Sequence, residues 1–121
     1  LVQRGQDWMT HEEPFDAVSV LNTLSEGQIC LMDCATMWLT NHRLAEHDLE
    51  AETEGLLTAI DACAADIVIV TNETGLGIVP ENALARRFRE AQGRLNIALA
   101  ARADRVVQVT AGLPLVLKGT L

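Results

Sequence analysis

The chain has 121 residues, 49% of them hydrophobic and 21% charged, a length that suits one compact domain rather than two. Seventeen acidic against nine basic side chains leave a formal net charge of -8, and aromatic residues amount to only 3% with no tyrosine. That balance disfavours nucleic-acid binding, because both the phosphate-tracking field and the stacking platforms are lacking, and no apolar run approaches the roughly 20 residues that cross a bilayer.

Residues 1–14 are polar and irregular and end in Glu12, Glu13 and Pro14. Apolar residues at Ala17, Val18, Val20, Leu21 and Leu24 predict a short amphipathic helix within Phe15 to Leu24, closed by Gly27. The run Ile29-Cys30-Leu31-Met32 breaks abruptly into Asp33, the pattern of a strand buried on both faces with a carboxylate at its carboxyl end. Residues 34–46 and 49–64 are predicted helices, the second with Leu49, Leu56, Leu57, Ile60 and Cys63 facing inward and Glu50, Glu52 and Glu54 outward.

Ile67-Val68-Ile69-Val70 is the next predicted strand, and it too ends in polar residues, Thr71-Asn72-Glu73. Beyond the loop of residues 74–79, Pro80 occupies a first-turn position, and a helix is expected over 81–102 with Leu84, Phe88, Leu95 and Leu99 on one stripe. Residues 106–109 and 113–117 read as a third and fourth strand around a turn at Gly112. The alternation predicts a single α/β domain with a right-handed parallel βαβ arrangement, in which ligands lie beyond the carboxyl ends of the strands.

Cys30, Cys34 and Cys63 are odd in number and lack Cys-x-x-Cys spacing, which speaks against a disulfide framework or a four-thiolate zinc site and suits a reducing cytoplasm. No basic segment followed by an apolar core opens the chain, so no signal peptide is read, and the first residue, Leu1, leads us to expect an incomplete N-terminus.

Asp33 has two readings. A strand-end acid holds a magnesium ion in phosphate-transfer enzymes, and an Asp also caps a helix that begins beside it. The phosphate cradle G-x-x-x-x-G-K-[ST] is absent, since the only lysine is Lys118 in the last predicted strand. Gly75-Leu76-Gly77 lacks the third glycine of the dinucleotide fingerprint and is read as a tight turn. His11, His42 and His47 are read as surface histidines, because a five-residue gap does not put the last two on one helix face. Arg86, Arg87 and Arg89 suit a solvated face pairing with Glu81 and Glu90, and Glu12 and Glu13 are most simply solvated.

The string Thr71-Asn72-Glu73-Thr74-Gly75-Leu76-Gly77-Ile78-Val79-Pro80-Glu81-Asn82, with Ala85-Arg86-Arg87-Phe88-Arg89 and Gly93-Arg94-Leu95-Asn96, resembles the bifunctional adenosylcobinamide kinase and adenosylcobinamide-phosphate guanylyltransferase family of cobalamin biosynthesis. Arg4 with Gly5, Trp8, Thr10 and Glu12 agree, as do Leu31-Met32-Asp33-Cys34, Trp38, Leu39 and Asn41, so the similarity covers nearly the whole chain. The resemblance implies a P-loop-NTPase-like (RecA-like), mostly parallel sheet flanked by helices, usually in a homotrimer. It also implies ATP, GTP and Mg2+, with adenosylcobinamide and its phosphate as substrates and the cytoplasm as location.

By the family's spacing, the phosphate loop, the first strand and the nucleophilic histidine precede Leu1. Residues 1–121 would then be the C-terminal two-thirds of one nucleotide-binding domain, inactive alone. Matching positions imply nucleotide contacts from Leu1, Val2, Gln3, Arg4 and Glu12, and nucleotide and magnesium contacts from Asp33. Asn72 and Glu73 are further candidates, and His11 does not match the nucleophile. The alternatives are a catalytically incomplete binding or assembly subunit, and another P-loop kinase for a small metabolite.

Overall fold

The computed structural model describes residues 11–13, 15–72 and 83–120. In chain order they form α1 (Ala17–Asn22), β1 (Ile29–Asp33), α2 (Ala35–Leu44), α3 (Leu49–Ala62), β2 (Asp66–Val70), α4 (Ala83–Arg102), β3 (Val106–Thr110) and β4 (Leu113–Lys118). Each predicted element is present, with ends displaced by a few residues. Residues 81 and 82, the expected start of the long helix, lie outside the described residues.

Three helix starts share one local device, a side-chain acceptor that satisfies amide groups the helix itself leaves unpaired. Asp16 accepts from the Ser19 amide in α1, and Asp48 accepts from the amides of Glu50 and Ala51 in α3. At α2 the acceptor is the Cys34 thiol, which takes the Met37 amide at 3.4 Å. The cap reading of Asp33 therefore passes to its neighbour. Glu13, expected to be merely solvated, accepts from the amides of Phe15 and Asp16 and shapes the entry to α1.

β1 and β2 pair in parallel, with Cα partners running from Ile29 and Asp66 to Asp33 and Val70. Leu21, Ala35, Trp38, Leu39, Leu56, Ala59, Ala91 and Leu95 form the buried core, and Cys30, Met32, Ile67 and Ile69 pack against it. All four helices thus contribute to one layer on one face of the pair. Burying a leucine completely contributes roughly 1.5–3 kcal/mol, and Leu39, Leu56 and Leu95 are each 0% exposed.

Two expectations are corrected. The apolar runs predicted strands buried on both faces, whereas Ile29, Leu31, Val68 and Val70 are exposed, because among the described residues the helices cover only one side. A continuous apolar run records what a strand is able to bury on each face, and one described layer supplies a single cover. The alternation predicts residues 106–109 as the third strand of the parallel arrangement. Instead β3 and β4 form a separate antiparallel hairpin with a register shift between Val106 and Val107. Its two-residue turn has positive φ at both Ala111 (52°) and Gly112 (77°), the geometry that matches the twist of a tight hairpin. On α4, Leu95 is fully buried and Phe88 and Leu99 flank the core, but Leu84 is exposed.

The histidines also depart from expectation. α2 ends at Leu44, and Glu46 takes a left-handed conformation at φ 60°. The His47 amide then donates to the His42 carbonyl at 2.9 Å and the Glu46 amide to the Arg43 carbonyl at 3.0 Å, the paired bonds of a Schellman stop. That turn folds the chain back so that His47 meets His42, with ring centroids 5.0 Å apart. The five-residue gap is unfavourable within a helix and favourable across this turn. His42 is buried, not on the surface as expected, while His11 and His47 are exposed.

Candidate functional site

The parallel register sets Asp33 opposite Val70, so both strands deliver their carboxyl ends to the same side of the molecule. From there the chain continues into Cys34 and α2 on one strand and into Thr71 and Asn72 on the other. Asp33 and Asn72 are exposed. The peptide bond between Asp33 and Cys34 is cis.

A polar network ties these ends to α2 and α4. The Thr36 hydroxyl, in the first turn of α2, accepts the Asn72 amide at 2.9 Å and lies 3.4 Å from the Thr71 hydroxyl. Thr71 donates to Oδ1 of Asn96 at 2.7 Å, and Nδ2 of Asn96 donates to the Asn72 carbonyl at 3.0 Å. Nε2 of Gln92 donates to both Thr71 and Asn96, at 3.1 and 3.0 Å. Asn72 is therefore held through its backbone amide and carbonyl, which leaves its side chain unconstrained by these bonds. Gln92 is 0% exposed, and among the described residues its Oε1 is a buried acceptor without a hydrogen-bond partner. Leaving such an acceptor unsatisfied costs about 1–3 kcal/mol.

Around the network the chemistry is that of hard oxygen donors: a carboxylate from Asp33, hydroxyls from Thr36 and Thr71, and amide oxygens from Gln92 and Asn96. These groups suit hydrogen-bonding and cationic ligands at a fixed strand terminus. A groove of about 330 Å3 lies elsewhere, between α1 and α3, lined by Val18, Asn22, Glu54, Thr58 and Ala62 among others. None of its lining residues belongs to a strand end, so the position of the polar network carries more weight than this groove's volume.

Of the residues singled out from sequence, the fold brings Asp33 and Asn72 together at neighbouring strand ends. Glu12 is exposed, ahead of α1, and no described contact joins it to them. Leu1, Val2, Gln3, Arg4 and Glu73 lie outside the described residues, as does Gly75-Leu76-Gly77. Thr36, Gln92 and Asn96 were not singled out as site residues. Asn96 belongs to a string that carried the family resemblance, but Thr36 and Gln92 join the site only through tertiary contacts. On α4, Glu90 pairs with Arg94 at 4.0 Å, and the Arg43 guanidinium lies 5.1 Å from the Phe88 ring centre.

A family model described as cobinamide kinase / cobinamide phosphate guanyltransferase matches residues 2–117. The bifunctional adenosylcobalamin biosynthesis protein CobP of Pseudomonas aeruginosa is 42% identical over 120 residues, covering 97% of this chain and 69% of the relative. The protein CobU of Escherichia coli, named for the same bifunctional role, is 33% identical over 131 residues, covering 95% of this chain and 72% of its own length. Its namesake from Salmonella typhimurium is 38% identical over 110 residues, which cover 78% of this chain and 61% of that protein. Among the described residues, no helix is long and apolar enough to cross a membrane.

Proposed function

The chain belongs to the cobinamide kinase / cobinamide phosphate guanyltransferase family, an enzyme family of cobalamin biosynthesis, and from that membership we propose that the strand ends of β1 and β2 form part of its nucleotide site. The protein phosphorylates adenosylcobinamide and then transfers GMP from GTP to adenosylcobinamide phosphate, giving adenosylcobinamide-GDP. The observation that carries this placement is the parallel register, which puts Asp33 and the Thr71-Asn72 segment side by side at the end of the sheet where α/β folds take ligands.

In the kinase step, the substrate hydroxyl oxygen bonds to the γ-phosphorus of ATP, the bond to ADP breaks and the hydroxyl proton is lost. In the second activity, a histidine nitrogen bonds to the α-phosphorus of GTP and pyrophosphate leaves. A phosphate oxygen of adenosylcobinamide phosphate then displaces that histidine. The family's spacing puts the histidine immediately before Leu1, with the phosphate loop and first strand of a P-loop-NTPase-like, RecA-like domain further upstream. Residues 1–121 then form the C-terminal two-thirds of that single domain.

Leu1, Val2, Gln3 and Arg4 line the guanine nucleotide, with Arg4 facing phosphate charge. Glu12 accepts the N1-H and N2-H donors of guanine. Asn72 and Glu73 serve the corrinoid or nucleotide side of the pocket. Asp33 holds Mg2+, directly or through water. The oxygen-rich donor set at the strand ends fits such a hard cation, which when bound neutralises phosphate charge. The network of Thr36, Thr71, Gln92 and Asn96 keeps the second strand end in place beside Asp33. A cytoplasmic homotrimer completes the reading.

The test is incubation of the intact protein with α-labelled GTP, alongside a kinase assay on adenosylcobinamide and the variant Asp33→Asn. We expect an acid-labile, base-stable protein label. Because Cys34 caps α2, Asp33→Asn should lose magnesium-dependent turnover while keeping its melting temperature. A folded, GTP-binding protein that acquires no label rejects the histidine route, and equal loss of stability and turnover rejects the metal role of Asp33.

A further inference from the structure

His42, His47 and Glu52 converge where α2 meets α3, with one ligand atom from each within 4.8 Å of the others. We propose that these three side chains bind a divalent transition-metal ion of the zinc class. His42 lies seven residues beyond the start of α2, about 10 Å along the helix from the strand ends at the usual helical rise.

The hydrogen bonds already orient the buried ligand. Nε2 of His42 lies 2.9 Å from the Phe15 carbonyl, which only accepts, so that nitrogen carries the hydrogen. In the neutral ring Nδ1 is then left with a lone pair, and it faces Nδ1 of His47 at 2.8 Å. An imidazole whose far N–H is held by a backbone carbonyl while its near nitrogen points at a second donor has the arrangement of a metal-bound histidine. The same carbonyl accepts from Nε1 of Trp38 at 3.0 Å, and the Trp38 ring packs edge-on to His42 at 4.7 Å. His42 is 2% exposed and so fixed on several sides.

The other two donors have room to adjust. His47 is exposed, and the Glu52 side chain is 40% exposed, with its carboxylate 3.8 Å from Nε2 of His42. Zinc–nitrogen bonds of about 2.0–2.1 Å in a tetrahedron separate two donor atoms by roughly 3.4 Å. The two Nδ1 atoms therefore need to part by about half an ångström. The ion takes the place of the hydrogen they share, His47 carrying its own on Nε2. Glu52 swings in as third ligand and water completes the shell. Four acids within seven residues, Glu46, Asp48, Glu50 and Glu52, make the local field favourable to a cation.

The test titrates the metal-free intact protein with Zn2+ against a chromogenic chelator, and with Co2+ followed by absorption, at about pH 7.5. One equivalent should bind, and Co2+ should give visible d–d bands without a thiolate charge-transfer band, which separates this site from Cys30, Cys34 and Cys63. Affinity should fall by at least about tenfold in His47→Gln and in Glu52→Gln, and both metal-free variants should still unfold cooperatively. Failure of the wild-type protein to bind an equivalent, a thiolate band, or unchanged affinity in either variant overturns the proposal. The exposed variants keep the test decisive even if substitution of buried His42 prevents folding.

Discussion

In the parallel pair β1–β2, Cys30, Met32, Ile67 and Ile69 lie against helices drawn from both sides of the pair in sequence, whereas every residue of β4 in the hairpin is exposed. Leu113, Leu115 and Leu117 are 70%, 56% and 60% exposed, each more open than Leu31 on the bare face of β1 at 39%. The hairpin is held by its ends. Ala111 and Gly112 set the turn, and Nζ of Lys118 donates to the carbonyls of Ala100 and Ala101, closing the end of α4 with a positive charge. The only lysine in the chain thus serves a helix terminus. Strands of similar composition are specified remotely in one case and locally in the other.

The largest test of this contrast is removal of side-chain volume. Leu39→Ala, at a fully buried position, should cost about 2–5 kcal/mol, while Leu115→Ala should cost no more than about 0.5 kcal/mol. Urea denaturation of both variants checks it. Comparable losses would mean that the hairpin is packed as firmly as the core.

Glycines sharpen the same contrast at intermediate size. A Cβ on Gly119, where φ is +73°, would lie 2.5 Å from the Asp104 carbonyl oxygen, backbone against backbone, at the point where the hairpin ends beside its own start. Gly119→Ala should therefore cost about 1–3 kcal/mol. Gly55 lies inside α3 with open space around its Cβ position, and Gly55→Ala should instead stabilise by about 0.5–1 kcal/mol. Thermal unfolding of the two variants should move in opposite directions, and a neutral Gly119→Ala would show that the hairpin end yields.

Much of this organisation was legible from residues alone. Apolar runs located β1 and β2, and their abrupt polar ends marked Asp33 and Asn72 before any pairing was known. Gly112 signalled the hairpin turn. Strand partners were less legible, because the Val106 run is equally suited to a parallel neighbour or to Leu113–Lys118, and only tertiary packing decides. At the site, Thr36 and Gln92 gave no sign in sequence, since their roles arise from contacts across 36 and 21 positions. The His42–His47 meeting was hidden for a different reason. A Schellman stop is usually announced by glycine, and here Glu46 takes the left-handed position.

The smallest expected effect concerns Cys30, whose side chain is on the covered face of β1. Burial, with a lesser contribution from Cys63 nearby, raises its thiol above the ordinary cysteine value. The thiolate is the reactive form, so alkylation of Cys30 at about pH 8 should be slower than that of a cysteine placed on the open hairpin by Leu115→Cys. Mass spectrometry of the two sites gives the rates. The linkage has a definite sign: a folded-state value raised above the unfolded one favours the folded protein below the unfolded thiol value, and that advantage is lost as pH rises through the folded one. Cys30→Ala should therefore flatten the alkaline decline in stability slightly, whereas Leu115→Cys, being exposed, should leave its shape unchanged. Equal alkylation rates at the two positions would mean that the helices cover β1 less tightly than its burial implies.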